Sequence, residues 1–240
     1  MKLLQWYQWM ALAALGICIL ALVLHFLRLL RLGKPQDYSI PAGKTGKAIA
    51  YAFTGAMSPA RKESAYLHLP TYSAGILYHT GTFLSMFLFF FFISGIFPQG
   101  LFAKIIIAFL AISAGCGAAI LVKRIVRKEL RILSNPDDFI SNILVTLFQF
   151  STILVLLTLL FPTSPLPPFP ASPPPGFLAS LLPSYSPIVL QSYYLLYTLL
   201  MLYIPVGKLR HTIYFFAARY QLGVFYGWRG VWPLRKLKKL

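Results

Sequence analysis

Long apolar runs separated by short polar interruptions dominate this chain. They cover 4–27, 72–97, 101–122, 139–161 and 188–214, and each matches or exceeds the roughly 20 residues that a helix needs to cross a hydrocarbon core. The pattern predicts an all-α, polytopic bundle of five transmembrane helices forming a single membrane domain, 1–240. The first run is too long for the apolar part of a signal peptide and has no small-residue cleavage site before its charged flank, so it counts as a span. Pro98, Gln99 and Gly100 predict a tight turn between the second and third spans, and Ser134, Asn135 and Pro136 supply the breaker and cap before the fourth. Neighbouring spans are therefore expected to run antiparallel.

Composition agrees with this pattern. The chain is 58% hydrophobic and 11% charged, where a globular surface needs about 25% charged residues. That excludes an ordinary soluble domain. Cys18 and Cys116 stand far apart with no C-x-x-C pair, which excludes a covalent c-type haem and an iron–sulfur cluster held by this chain alone.

Charge sets an expected orientation. Seven of the 22 Lys and Arg residues fall between Arg28 and Lys62, five between Lys123 and Arg131, and eight between Lys208 and Lys239. The positive-inside rule then puts the N-terminus outside and the C-terminus, with a basic tail over 215–240, in the cytoplasm, with the chain crossing the cytoplasmic (inner) membrane several times. All five acids (Asp37, Glu63, Glu129, Asp137 and Asp138) fall on that same side. A net charge of +17 concentrated on one face favours anionic lipid headgroups or an acidic partner subunit over nucleic acid, for which no binding module is visible. The segment 162–187 carries ten prolines and no charge; it reads as a stiff outer cover or as a passive connector.

Ionisable groups at membrane depth are costly and mark candidate functional positions. No Asp or Glu falls inside a span, so the carboxylate chain of a proton pump or cation-coupled transporter is missing. The histidines remain. His79 lies about seven residues into the second span, and His211 near the cytoplasmic end of the fifth. The expected topology puts them at similar depth, as axial ligation of a b-type haem by two neutral imidazoles requires. Gly75 and Gly81 would let a flat macrocycle approach the backbone, and Lys208 and Arg210 are candidate partners for its propionates. From spacing alone, two interfacial histidines with a snorkelling basic pair is the commoner arrangement.

A resemblance shifts that balance. The stretch Ile204-Pro205-Val206-Gly207-Lys208-Leu209-Arg210-His211, with Arg219-Tyr220-Gln221-Leu222 after it, resembles the end of the last helix of respiratory nitrate reductase gamma subunits and the related membrane cytochromes of heterodisulfide reductase and sulfite-reduction complexes. Gly75-Ile76-Leu77-Tyr78-His79-Thr80-Gly81 and the inner loop from Arg127 to Asp137 are similar to the same family. The resemblance covers about a third of the chain. It implies a quinone-linked cytochrome b in which His79 and His211 ligate the haem nearer the cytoplasm. Substrate turnover would reside in another subunit, so the chain would be an electron-transfer subunit and not an enzyme alone.

One departure limits the carry-over. Where the family places the histidines of a second haem, this chain has Phe89 and Tyr193, so the expectation is one haem b, not two. For His25 and His68, three roles stay open: a further haem pair, a quinone hydrogen bond or proton relay, and a structural place. Lys104 is a snorkelling anchor or a quinone contact. Phe87 to Phe92 and Tyr193, Tyr194 and Tyr197 are more simply packing or lipid-facing aromatics than a cofactor pocket. In the third span, the stripes Ala111-Gly115-Ala119 and Ser113-Gly117 read as a helix-contact face. The expected function is electron transfer between the quinone pool and a cytoplasmic iron–sulfur partner; the rival is a cofactor-free anchor that recruits a redox complex to the bilayer.

Overall fold

A computed structural model describes residues 4–33, 37–58, 61, 68–160 and 187–234. The described residues are helical, with no strand among them: α1 (Trp6–Arg31), α2 (Thr45–Phe53), α3 (Leu69–Ile93), α4 (Gly100–Val126), α5 (Lys128–Ile132), α6 (Pro136–Leu160), α7 (Pro187–Tyr203) and α8 (His211–Trp228). Four of these, α1, α3, α4 and α6, are long and apolar enough to cross a membrane, and α7 with the segment Lys208–Trp228 makes a fifth if the interrupted pair counts as one span. This is the helix inventory of a multi-pass membrane protein. The Pro-rich segment lies outside the described residues up to position 186, as does the tail from 235 onward.

Where the sequence predicts one domain, the chain divides into two compact units. The first comprises 1–17 and 73–204, the second 18–72 and 205–240. The last span also departs from its expected course. The helix predicted over 188–214 stops at Tyr203 and resumes through a 3₁₀ turn, Lys208–Arg210, so that His211 opens a new helix. The cause is local. Pro205 has no N–H for the next helical bond and restricts the residue before it, and Gly207 follows in an extended conformation (φ −89°, ψ −170°). Much of the expected basic tail is thereby the ordered helix α8.

In the first unit, α3 ends in a Schellman motif. Gly95 adopts φ 75°, and the N–H groups of Gly95 and Ile96 reach the carbonyls of Phe92 and Phe91 at 3.1 and 2.9 Å. The start of α6 is capped as its sequence predicts. Asn135 Oδ1 accepts from the Asp138 N–H at 3.0 Å, Asp138 Oδ2 accepts from the Asn135 N–H at 3.1 Å, and Pro136 takes the first helical position. The Asp138 carboxylate, only 7% exposed, is neutralised by Arg124 at 3.2 Å. Tyr203 at the end of α7 donates to the Asp137 carboxylate, which ties α7 to the beginning of α6.

The second unit contains a helix pair that hydropathy did not indicate. Helix α2 lies antiparallel to α8 along a seam of small residues: a Cβ on Gly223 would stand 2.5 Å from the Ile49 Cα, and one on Gly227 would stand 2.7 Å from the Ala48 Cβ. The preceding loop is strapped to the end of α8. Trp228 Nε1 donates to the Ser39 carbonyl at 2.7 Å, Ala42 N to the Trp228 carbonyl at 2.7 Å, and Arg229 pairs with Asp37 at 2.7 Å. The Ser39 hydroxyl, then its backbone N–H, and Arg229 beyond them hold the Asp37 carboxyl below its ordinary 3.8.

Two predictions follow from this packing. Gly223→Ala should destabilise the second unit by about 1–3 kcal/mol through overpacking against Ile49, whereas Gly46→Ala in α2, where the added Cβ meets nothing within 4 Å, should be neutral or stabilising; thermal unfolding of the purified chain compares the two. Because the folded pKa of Asp37 is depressed, its contribution is present above the unfolded value of about 3.9 and disappears as pH falls through the lower folded value. An acid titration of Trp228 fluorescence in a chain with the other tryptophans replaced should show this transition, and Asp37→Asn should abolish it.

Candidate functional site

His79 sits within α3 with its ring on the exposed side of the helix. Its Nδ1 lies 2.7 Å from the Gly75 carbonyl one turn earlier. A carbonyl only accepts, so Nδ1 carries a proton, and Nε2 is the nitrogen turned away from this bond. His211, the first residue of α8 and also exposed, is held in the same way: its Nδ1 donates to the Lys208 carbonyl at 2.8 Å. Each of the two histidines, taken by itself, has one ring nitrogen fixed by a backbone carbonyl, as metal-ligating histidines commonly do. The residue chemistry fits axial ligation of a haem. Lys208 and Arg210 present exposed side chains in the turn before His211. Lys208 therefore acts on His211 through its backbone carbonyl, a role that its charge did not suggest.

The two glycines near His79 differ. Gly75 has open space where a Cβ would stand, as a close-lying planar group needs, whereas Gly81 is filled by the Ser113 side chain from α4. Gly81 is a helix-packing residue and does not serve the macrocycle role expected for it. The α4 stripes divide similarly. Ser113 and Gly117 are buried against α3 and α6, with the Tyr78 ring over Gly117, while Ala111, Gly115 and Ala119 are exposed.

A polar cluster that the search for ionisable groups missed lies directly behind His79. Gln149 of α6 is 0% exposed. Its Nε2 donates to the Tyr78 carbonyl at 3.1 Å and to Thr82 Oγ1 at 2.8 Å, and its Oε1 accepts from Ser113 Oγ at 2.9 Å. Ser113 Oγ also lies 3.0 Å from the Leu77 carbonyl. The Tyr78 hydroxyl reaches the Asn142 carbonyl at 3.0 Å and Thr146 Oγ1 at 2.9 Å. The available signal was the spacing of Asn142, Thr146 and Gln149, which puts three polar groups on one stripe of an otherwise apolar span.

Phe89 and Tyr193 lie in a packed aromatic core. The Phe89 ring stacks on Tyr197 with centroids 3.6 Å apart and planes 3° from parallel. Tyr193 meets Phe92 and Phe148, each at 5.5 Å, and Tyr194 meets Tyr7 of α1 at 5.4 Å. All of these side chains are buried, whereas Phe87, Phe90 and Phe91 are exposed. The tyrosines and two of the five phenylalanines in the run are therefore packing residues, and the other three face outward.

The remaining candidates separate by environment. His25 Nε2 donates to the Pro205 carbonyl at 3.1 Å, a carbonyl at the helix interruption, and its ring lies 6.2 Å from that of Tyr214. This gives His25 a structural place. His68 is exposed just before α3, and Lys104 is exposed near the start of α4. Among the described residues, no three His, Cys, Asp or Glu side chains group into a metal site; axial ligation uses two. Compared with known proteins, the chain matches no family model, no curated protein and no solved structure.

The aromatic core predicts a stability effect. Phe89→Ala should cost about 3–5 kcal/mol, because the rigid rings around it cannot collapse into the space left, while Phe87→Ala on the exposed face should cost far less. Thermal unfolding in detergent measures both.

Proposed function

We propose that this chain is the haem b subunit of a respiratory-type membrane complex and carries electrons between the quinone pool and an iron–sulfur partner on the cytoplasmic side. His79 and His211 are its axial ligands, and the chain crosses the inner membrane five times with the N-terminus outside. The observation that carries this reading is the matched preparation of two exposed histidines, each donating Nδ1–H to a backbone carbonyl and keeping Nε2 for a ligand. An imidazole exposed on an apolar helix needs such a partner to offset its cost.

A bound haem b supplies one-electron chemistry through its iron. The chain's own residues do the rest. Gly75 and Lys208 fix the ligand tautomers through their carbonyls. Lys208 and Arg210 offset anionic propionates, and the apolar helix faces exclude water. The resemblance to nitrate reductase gamma subunits supports the same assignment, and the buried Phe89, Tyr193 and Tyr197 side chains support a single haem, since rings fill the positions where a second pair of ligands would stand. The basic inner face suits an acidic redox partner and anionic lipids.

The purified full chain should show a low-spin b-type α-band in its reduced-minus-oxidised spectrum, with one haem per chain by pyridine haemochrome. His79→Ala and His211→Ala should each abolish the band, and His25→Ala and His68→Ala should leave it. A well-folded chain with no α-band would instead be the cofactor-free anchor.

A further inference from the structure

We propose that Gln149 and Ser113 are positioning residues that set the orientation of the His79 imidazole. The inference rests on the haem reading above and extends it to groups that touch no cofactor. The carbonyls of Leu77 and Tyr78, immediately before His79, are contacted from α4 and α6: the single Ser113 hydroxyl hydrogen is shared between Gln149 Oε1 at 2.9 Å and Leu77 O at 3.0 Å, and Gln149 Nε2 donates to Tyr78 O at 3.1 Å. Tyr78 is also held by its hydroxyl, through the Asn142 carbonyl and Thr146.

Helix α3 therefore cannot rotate about its axis without breaking bonds that have no water to replace them. The plane of the His79 ring depends on the same helical phase, because Nδ1 is tied to the Gly75 carbonyl one turn back. Each hydrogen of the Gln149 amide is used, and a flipped amide would turn its oxygen onto a carbonyl, so the clamp has a single orientation.

The orientation of two axial imidazole planes sets the low-spin EPR g values, and ligand orientation and basicity tune the midpoint potential. Gln149→Leu, made in the full chain, should keep the b-type α-band but shift the highest g value and change the reduction equilibrium about threefold, roughly 30 mV at 59 mV per decade. Gln149→Glu, which keeps the side chain's length and whose carboxyl in its protonated form can donate one hydrogen bond, should return both readings toward wild type. Ser113→Ala, a smaller change, should move the g value in the same sense and covers the case in which Gln149→Leu does not fold. Haem-loaded Gln149→Leu or Ser113→Ala with wild-type g values and potential would overturn the inference. Absence of haem from the wild-type chain would instead overturn the reading on which it rests.

Discussion

The carboxamide of Gln149 is the joint on which the first unit depends. Its three hydrogen bonds join α6 to α3 and α4 within a polar cluster carried by otherwise apolar helices. Apolar burial gives membrane helices little reason to associate with one another, because lipid is as good a solvent for leucine as another helix is. Specific polar contacts and close approach between small residues must supply the register. Gly81 and Gly117 allow that approach, Ser113 fills one gap and Tyr78 the other, so the hydrogen bonds form at normal lengths and fix one rotation of α3. The exposed face bearing His79 follows from that rotation.

Helix α7 is attached by different means. Its Tyr193, Tyr194 and Tyr197 side chains interleave with Phe89, Phe92 and Phe148, and rigid rings lose little side-chain entropy for the area they bury. A second link at the helix end, from Tyr203 to Asp137, uses the first turn of α6. Polar contacts near His79 and aromatic contacts elsewhere thus divide one bundle into a part able to present a ligand and a part that is filled. The second unit adds another device in its central helix pair, beside a ring contact between Phe53 and Phe216 at 6.2 Å. There a glycine and alanine seam brings α2 and α8 into backbone contact, and the loop bearing Asp37 and Ser39 straps the pair together through Trp228 and Arg229.

His25 shows how an interruption in a helix is accommodated. Pro205 ends the regular hydrogen-bond ladder, and the imidazole from α1 donates to its carbonyl. The interruption also changes the setting of His211: as the first residue of α8 it finds the Lys208 carbonyl within reach of Nδ1, in a 3₁₀ turn that an unbroken helix would not contain.

The apolar spans, the cap at Asn135 and Pro136 and the candidate histidines were legible in the amino-acid order because each depends on groups within a few turns of one another. The break at Pro205 was legible in principle from Pro205 and Gly207, yet an apolar run that continued past both concealed it. Other features required the folded chain. The partners of Gln149 lie 36 and 71 positions away, at Ser113 and Tyr78, and no local pattern names them. The α2 and α8 seam joins segments still further apart, and which small-residue stripe of α4 is buried depends on what stands opposite it. Sequence alone determined the membrane-spanning character and the candidate ligands, since hydrophobicity and residue chemistry are properties of the segment itself. Tertiary structure decided which glycine is filled and which tyrosines are core, because each is settled by a distant partner at contact distance, whereas the outward imidazole nitrogen is set locally, by a carbonyl three or four residues back.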